Sequence, residues 1–202
     1  MSFWDRVAGL YDIAESVNPR AYNAMINGVR EVVPEGAKVL DCAAGTGELS
    51  IAAAEKAESV LCTDLSLSML EIARKKCCKQ GIENVHFEER NILELSDADD
   101  VYDVAIAGNV LHLLDDPQKA VKELARVVKN GGKLILPTFM LTENDKTPFL
   151  VKLYKLVGFD PAKNYNSREY KEMLESCGMG KVKVTLLKGL VPIAFGVVKV
   201  CK

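Results

Sequence analysis

The residues with the clearest chemical spacing lie between Lys38 and Ser50, in the run KVLDCAAGTGELS. An apolar pair, Val39-Leu40, leads into Asp41, and small residues follow as Ala43-Ala44-Gly45-Thr46-Gly47. Glu48 to Ala54 then reads as the start of a helix. A strand, a tight turn and a helix in this order bring backbone close to a ligand, because a Cβ in the turn would hold the ligand away. A second apolar run, Ser59-Val60-Leu61-Cys62-Thr63, ends in Asp64, roughly the twenty residues on at which an acid meets a ribose. At the tip of a second strand, that acid is placed to accept both ribose hydroxyls of a nucleoside-containing cofactor.

The elements that must position these residues follow from periodicity and punctuation. Strands are expected at 38–42, 59–63, 84–88, 102–107 and 132–138, with helices at 48–57, 66–80 and 117–129 between them. Ser66 is a plausible N-cap and Gly81 a stop for the second helix; Pro117 suits a first helical turn, and Asn130-Gly131-Gly132 closes the third helix. Alternation of this kind gives a parallel sheet with right-handed crossovers and helices on both faces. Residues 3–33 read as a helical cap in two amphipathic segments, broken near Asn18-Pro19, and Pro34-Glu35-Gly36 is a turn. After an irregular or helical stretch over 139–166, Ser167 to Cys177 reads as a helix. The last two strands, Lys181 to Leu187 and Ile193 to Cys201, are only five residues apart. That gap is too short for a helical crossover, so the pair must be antiparallel.

At 202 residues a single domain, 1–202, is the default. A net charge of −2 with no Lys/Arg run argues against nucleic acid as a partner. No apolar run reaches membrane length and no leader-type segment is present, so a soluble cytoplasmic protein without membrane insertion is expected, as monomer or homodimer. The six cysteines, Cys42, Cys62, Cys77, Cys78, Cys177 and Cys201, include no C-x-x-C pair. They read as free reduced thiols, with a thiol-rich metalloid site as the alternative. No metal motif is present.

Taken together, these features resemble the Rossmann-like S-adenosylmethionine-dependent methyltransferases. Asp41-Cys42-Ala43-Ala44-Gly45-Thr46-Gly47 is similar to the family's glycine loop, with Ala43 in place of the first glycine, as in ubiquinone/menaquinone-type subgroups. Thr63-Asp64-Leu65-Ser66, continuing to Met69-Leu70 and Ala73, resembles the second motif, and Tyr102-Asp103-Val104 through Leu111-His112 the fourth-strand motif. Trp4-Asp5 through Tyr11-Asp12 resembles the N-terminal element of the quinone-type subgroup. The resemblance covers nearly the whole chain. It implies a doubly wound α/β fold with a seven-stranded, mostly parallel sheet whose last strand is antiparallel.

It also implies S-adenosylmethionine as cofactor and methyl transfer to a small-molecule acceptor. Asp41 would organise the loop near the cofactor's methionine amino group, Ala43, Gly45, Thr46 and Gly47 would form the loop, and Asp64 with Leu65 would meet the ribose. Asn91 and Ile92 would flank adenine, Asn91 standing where the family commonly has an Asp. Asn109 would lie beside the methionine part, and Tyr11 could stack over the cofactor or join the N-terminal helix to the sheet. His112 could serve as a general base or pack to shape the pocket. The stretch 139–166, with Phe149, Tyr154, Phe159 and Tyr165, could line an acceptor pocket or pack a cap. Two other readings stay open. One is a cofactor-binding protein without catalysis. The other is a nicotinamide-dependent dehydrogenase, which would normally carry a glycine where this chain has Ser50.

Overall fold

The computed structural model describes residues 18–140 and 163–202. Its strands are β1 (Lys38–Cys42), β2 (Ser59–Asp64), β3 (Val85–Glu89), β4 (Tyr102–Ile106), β5 (Val128–Phe139), β6 (Gly180–Leu187) and β7 (Ile193–Val200). They form one sheet in the order β3-β2-β1-β4-β5-β7-β6. β1 to β5 pair in parallel, and β7 runs antiparallel between β5 and β6. The hairpin expected from the five-residue gap is therefore present. The strand order reverses between β1 and β4, and at such a switch point the strand tips leave a crevice.

Five helices flank the sheet: α1 (Pro19–Val32), α2 (Glu48–Ala54), α3 (Leu67–Gln80), α4 (Pro117–Val127) and α5 (Ser167–Ser176). Strand residues alternate between two apolar layers, as a period of two requires. Val39, Val104, Ile135 and Phe195 pack with α1, α2 and α3. Leu40, Ala105, Leu134 and Ala194 pack on the opposite face with α4 and α5. The helix ends use the signals visible in the sequence. Ser66 Oγ accepts from Met69 N at 3.2 Å, and Gly81, at φ +68°, stops α3. Asp116 caps α4, and Asn166 forms a reciprocal capping box with Glu169. Asn18 does not cap α1; its side chain instead bonds Val191 O and Leu190 N, tying the helix start to the β6–β7 hairpin.

Two boundaries differ from the sequence expectation. α2 ends at Ala54 rather than 57, its end closing as a turn in which Lys56 N and Ala57 N both donate to Ala53 O. β5 begins at Val128, so α4 does not reach 129. Val128 is buried and pairs with Tyr102, whereas Lys133 pairs with Val104, so residues 129–132 bulge out against Asp103. A Cβ on Gly132 would come within 2.7 Å of Asp103 O, which explains the glycine in the bulge. The first helical segment with Tyr11, and most of 139–166, lie outside the described residues.

Candidate active site

The loop between β1 and α2 is fixed by backbone bonds to β2. Gly47 N donates to Ala44 O at 3.0 Å and Ala44 N to Thr63 O at 2.9 Å. Ala43, Gly45 and Gly47 all take positive φ, +52°, +56° and +83°. Ala43 bears this as a non-glycine residue, which carries local backbone strain. At Gly47 a Cβ would meet Ala73 Cβ at 2.7 Å, so a side chain there would push α3 away from the loop. Lys76 reaches from α3 to Thr46 Oγ1 at 3.0 Å and Glu48 Oε1 at 2.7 Å, pinning the loop from the outside. This brace is not encoded in the motif and could not be read from spacing alone.

Asp64 closes β2 beside this loop. Its Oδ2 accepts from Gly45 N at 2.9 Å and its Oδ1 from Ser66 N at 2.8 Å. Each carboxylate oxygen keeps a further lone pair. Leu65, next along, is 61% exposed, and Leu67 is similarly bare.

Asp41 is wholly buried. Ser50 Oγ donates to its Oδ2 at 2.6 Å, while its Oδ1 meets no hydrogen-bond donor among the described residues. Burial, reinforced by the charge of Asp64, pushes the Asp41 carboxyl up to about 7 despite the Ser50 bond. Asn109, at the tip of β4, has φ +53° and donates its N–H to Pro137 O at 2.8 Å. It is 7% exposed, and its Oδ1 likewise meets no donor among the described residues. Asp41, Ala43, Thr46, Gly108, Asn109 and Tyr22 line a common cleft of about 20 Å³.

His112 sits in a short 3-10 turn, Leu111–Leu113, and is 1% exposed. Its Nδ1 bonds Thr138 Oγ1 at 2.8 Å, its ring meets Phe139 edge-on, and its carbonyl accepts from Lys163 N. Burial lowers its pKa to about 4, so the ring is neutral at neutral pH. Asn91 is exposed, and its Oδ1 already accepts from Leu93 N at 3.0 Å. Ile92 turns inward and packs in the core with Leu40 and Cys42. The fold thus brings Asp41, Ala43, Gly45, Thr46, Gly47 and Asp64 together around one loop, with Asn109 sharing the Asp41 cleft. Asn91 presents a side chain outward, and Ile92 does not. Tyr11 lies outside the described residues. Ser50 and Lys76 are site residues that motif reading did not assign. Among the described residues, no cluster of His, Cys, Asp and Glu could hold a metal ion.

Comparison with known proteins agrees with this architecture. A profile of the "Methyltransferase domain" family matches residues 39–132. A ubiquinone/menaquinone biosynthesis C-methyltransferase of Zymomonas mobilis is 28% identical over 95% of this chain and 88% of its own length. A demethylmenaquinone methyltransferase of Clavibacter sepedonicus is 30% identical over 68% of this chain and 57% of its own. Some other curated relatives are matched over 36% to 46% of their own length, so the chain spans half of them or less. In shape, the chain superposes on a SAM-dependent methyltransferase of Thermotoga maritima with a TM-score of 0.75, at 24% identity, over 96% of this chain and 95% of that one. The match carries the fold. With the loop, the acid on β2 and the inserted antiparallel strand, the chain belongs to the Rossmann-like S-adenosylmethionine-dependent methyltransferases.

Proposed function

We propose that the chain transfers a methyl group from S-adenosylmethionine to a small molecule built on an apolar ring, at carbon or oxygen. The observation that carries the cofactor assignment is the pair of buried acceptor oxygens, Asp41 Oδ1 and Asn109 Oδ1, beside a glycine loop whose Gly45 N–H is anchored on Asp64. Buried polar atoms are rarely left without a donor. An amino-acid ammonium supplies three N–H groups and a positive charge, which suits one carboxyl and one amide oxygen. Ser50 fills the place where a dinucleotide fingerprint has its third glycine, and its hydroxyl is committed to Asp41. That favours the methyl-donor reading over a nicotinamide one.

In this reading Asp64 accepts from the ribose hydroxyls with its remaining lone pairs, and the positive-φ backbone of Gly45 and Gly47 allows close approach. Leu65 offers an exposed apolar flank to the adenine, Asn91 a polar edge, and buried Ile92 supports the strand tip from below. When bound, the cofactor supplies a sulfonium-activated methyl that passes to the acceptor by in-line displacement. The protein's task is alignment and exclusion of water, and alignment alone can supply up to ~7–11 kcal/mol. His112, neutral and bonded to Thr138, braces the tip of β5 rather than removing a proton. An acceptor ring bearing its own acidic hydroxyl needs no stronger base. The names of the Zymomonas and Clavibacter relatives support a quinone-like ring as acceptor class. The same reading has the chain working in the cytoplasm as monomer or homodimer, without nucleic acid. Among the described residues no helix is long and apolar enough to cross a membrane.

The test is transfer of labelled methyl from S-adenosylmethionine to a panel of hydroxylated aromatic rings, amines and thiols. Label on the rings supports the proposal, and label only on amines or thiols overturns the acceptor class. Cofactor binding without transfer to any member would instead identify a binding protein without catalysis.

A further inference from the structure

We propose that Asp41 and Asn109 form a receptor for one ammonium group, and that Asp41 stands in it as a neutral acid until the ligand arrives, so that docking the amino-acid end of the methyl donor expels a proton to solvent. The inference rests on the methyl-donor reading above and adds to it a proton-coupled step.

The geometry comes first. The two oxygens belong to strands on either side of the switch point, both residues are more than nine-tenths buried, and both line the same cleft. Its volume of about 20 Å³ suits a single group the size of a water or an ammonium, since one such sphere needs ~10–15 Å³. Ser50 occupies Asp41 Oδ2 from α2 and leaves Oδ1 facing the cleft unmatched. A buried carboxylate without a counter-charge is strongly disfavoured, whereas a carboxylic acid is tolerated.

The surrounding charges sharpen the case. Asp64 on β2 and Glu48 at the start of α2 are both acids, and Lys76 of α3 is already shared between Glu48 and Thr46. The Cys42 and Cys62 thiols beside Asp41 are pushed up by burial, Cys42 to about 12, and stay neutral. Tyr22 of α1 completes the lining. A cation entering this acid-rich pocket completes it electrostatically, and the raised Asp41 carboxyl, at about 7, then ionises. The balance is simple: the neutral carboxyl and the ligand's ammonium give a carboxylate–ammonium pair, and one proton leaves to water.

The experiment is isothermal titration of the full chain with S-adenosylhomocysteine, which cannot be turned over, in two buffers of different ionisation enthalpy. At pH 6 close to one proton should leave per ligand bound, and affinity should rise nearly tenfold per pH unit below pH 6.5, then level off near 7.5. Above pH 8 the sign reverses, because the free ligand's own amine begins to lose its proton, at a pKa of about 7.7–8.0. Methylthioadenosine, which lacks the amino-acid end, should bind with no proton exchange, and Asp41→Asn should bind S-adenosylhomocysteine with a flat profile below pH 7. Proton-free binding of S-adenosylhomocysteine at pH 6, or equal proton release with methylthioadenosine, overturns the proposal while leaving the methyl-donor reading intact. Failure of both nucleosides to bind at any pH overturns that reading, and the proposal with it.

Discussion

Asp41 is the penultimate residue of β1 and Asp64 the last of β2, one strand apart, yet the fold gives them opposite surroundings. Asp64 is partly exposed, and each of its oxygens receives a backbone N–H, from Gly45 and from Ser66. Asp41 is sealed, with one hydroxyl donor and one oxygen unmatched among the described residues. One acid is already oriented before a ligand comes and serves as the anchor of the loop. The other is held in waiting, at the cost of its charge. Two identical side chains at two strand tips therefore divide the work: the first shapes the site, and the second responds to what enters it.

The largest way to break this contrast is Asp64→Ala. It removes two charge-assisted acceptors from backbone donors and the proposed ribose contact, for a combined loss of about 3–5 kcal/mol across folding stability and cofactor affinity. Chemical denaturation and titration with S-adenosylmethionine would apportion it. An unaltered cofactor affinity would remove Asp64 from the site.

Asp41→Asn should act in the other direction on the ligand-free protein. The folded-state carboxyl titrates near 7, above the ~3.9 of an unfolded chain. The native state holds that proton more tightly, so its contribution to stability is fully present below pH 4 and is lost as pH rises through 7. Asparagine has no such loss, so the variant should be more stable than the parent at pH 8 by about 2 kcal/mol, with the gain fading toward pH 4. Thermal melts across that range check it, and a gain that is the same at every pH would show that Asp41 does not titrate in the folded state.

Ser50→Ala should give a smaller effect in the same pocket. Loss of the 2.6 Å bond removes the donor that favours the Asp41 carboxylate, so the pH midpoint for ligand-linked proton release should move up by about one unit, or roughly 1.4 kcal/mol. A midpoint that stays put would make the Ser50 bond irrelevant to the switch. Smallest of all is Asn91→Leu. Asn91 lies on the exposed side beyond β3 and already spends its oxygen on Leu93 N, so about 1 kcal/mol or less of affinity is at stake. A tenfold loss of affinity would show that adenine recognition dominates there after all.

Much of the scaffold was legible because it depends on short-range rules. The apolar runs of β1, β2 and β4 announced strands, Ser66 and Gly81 bracketed α3, and five residues between two apolar runs required a hairpin. The start of β5 was misplaced because Asn130-Gly131-Gly132 looks like a turn that ends a helix. It is a turn in character, Gly131 having φ +81°, but pairing of Val128 with Tyr102 keeps the chain in the sheet and turns the glycines into a bulge. Around the site, Asn91 and Ile92 were read as a pair, yet adjacent residues at a strand end point to opposite sides. One side chain closes a local turn and the other joins the core.

The sequence by itself determined the glycine loop, the two acids at their strand tips and the doubly wound sheet that carries them, because spacing, turn chemistry and apolar period act over a few residues at a time. Only the tertiary structure decided that Asp41 is buried, that Ser50 satisfies one of its oxygens, and that Asn109, distant in sequence, opens its own unmatched oxygen onto the same cleft. Desolvation depends on everything packed around a group. No residue's neighbours in the chain reveal it, and that burial is what makes one aspartate an anchor and the other a proton donor in waiting.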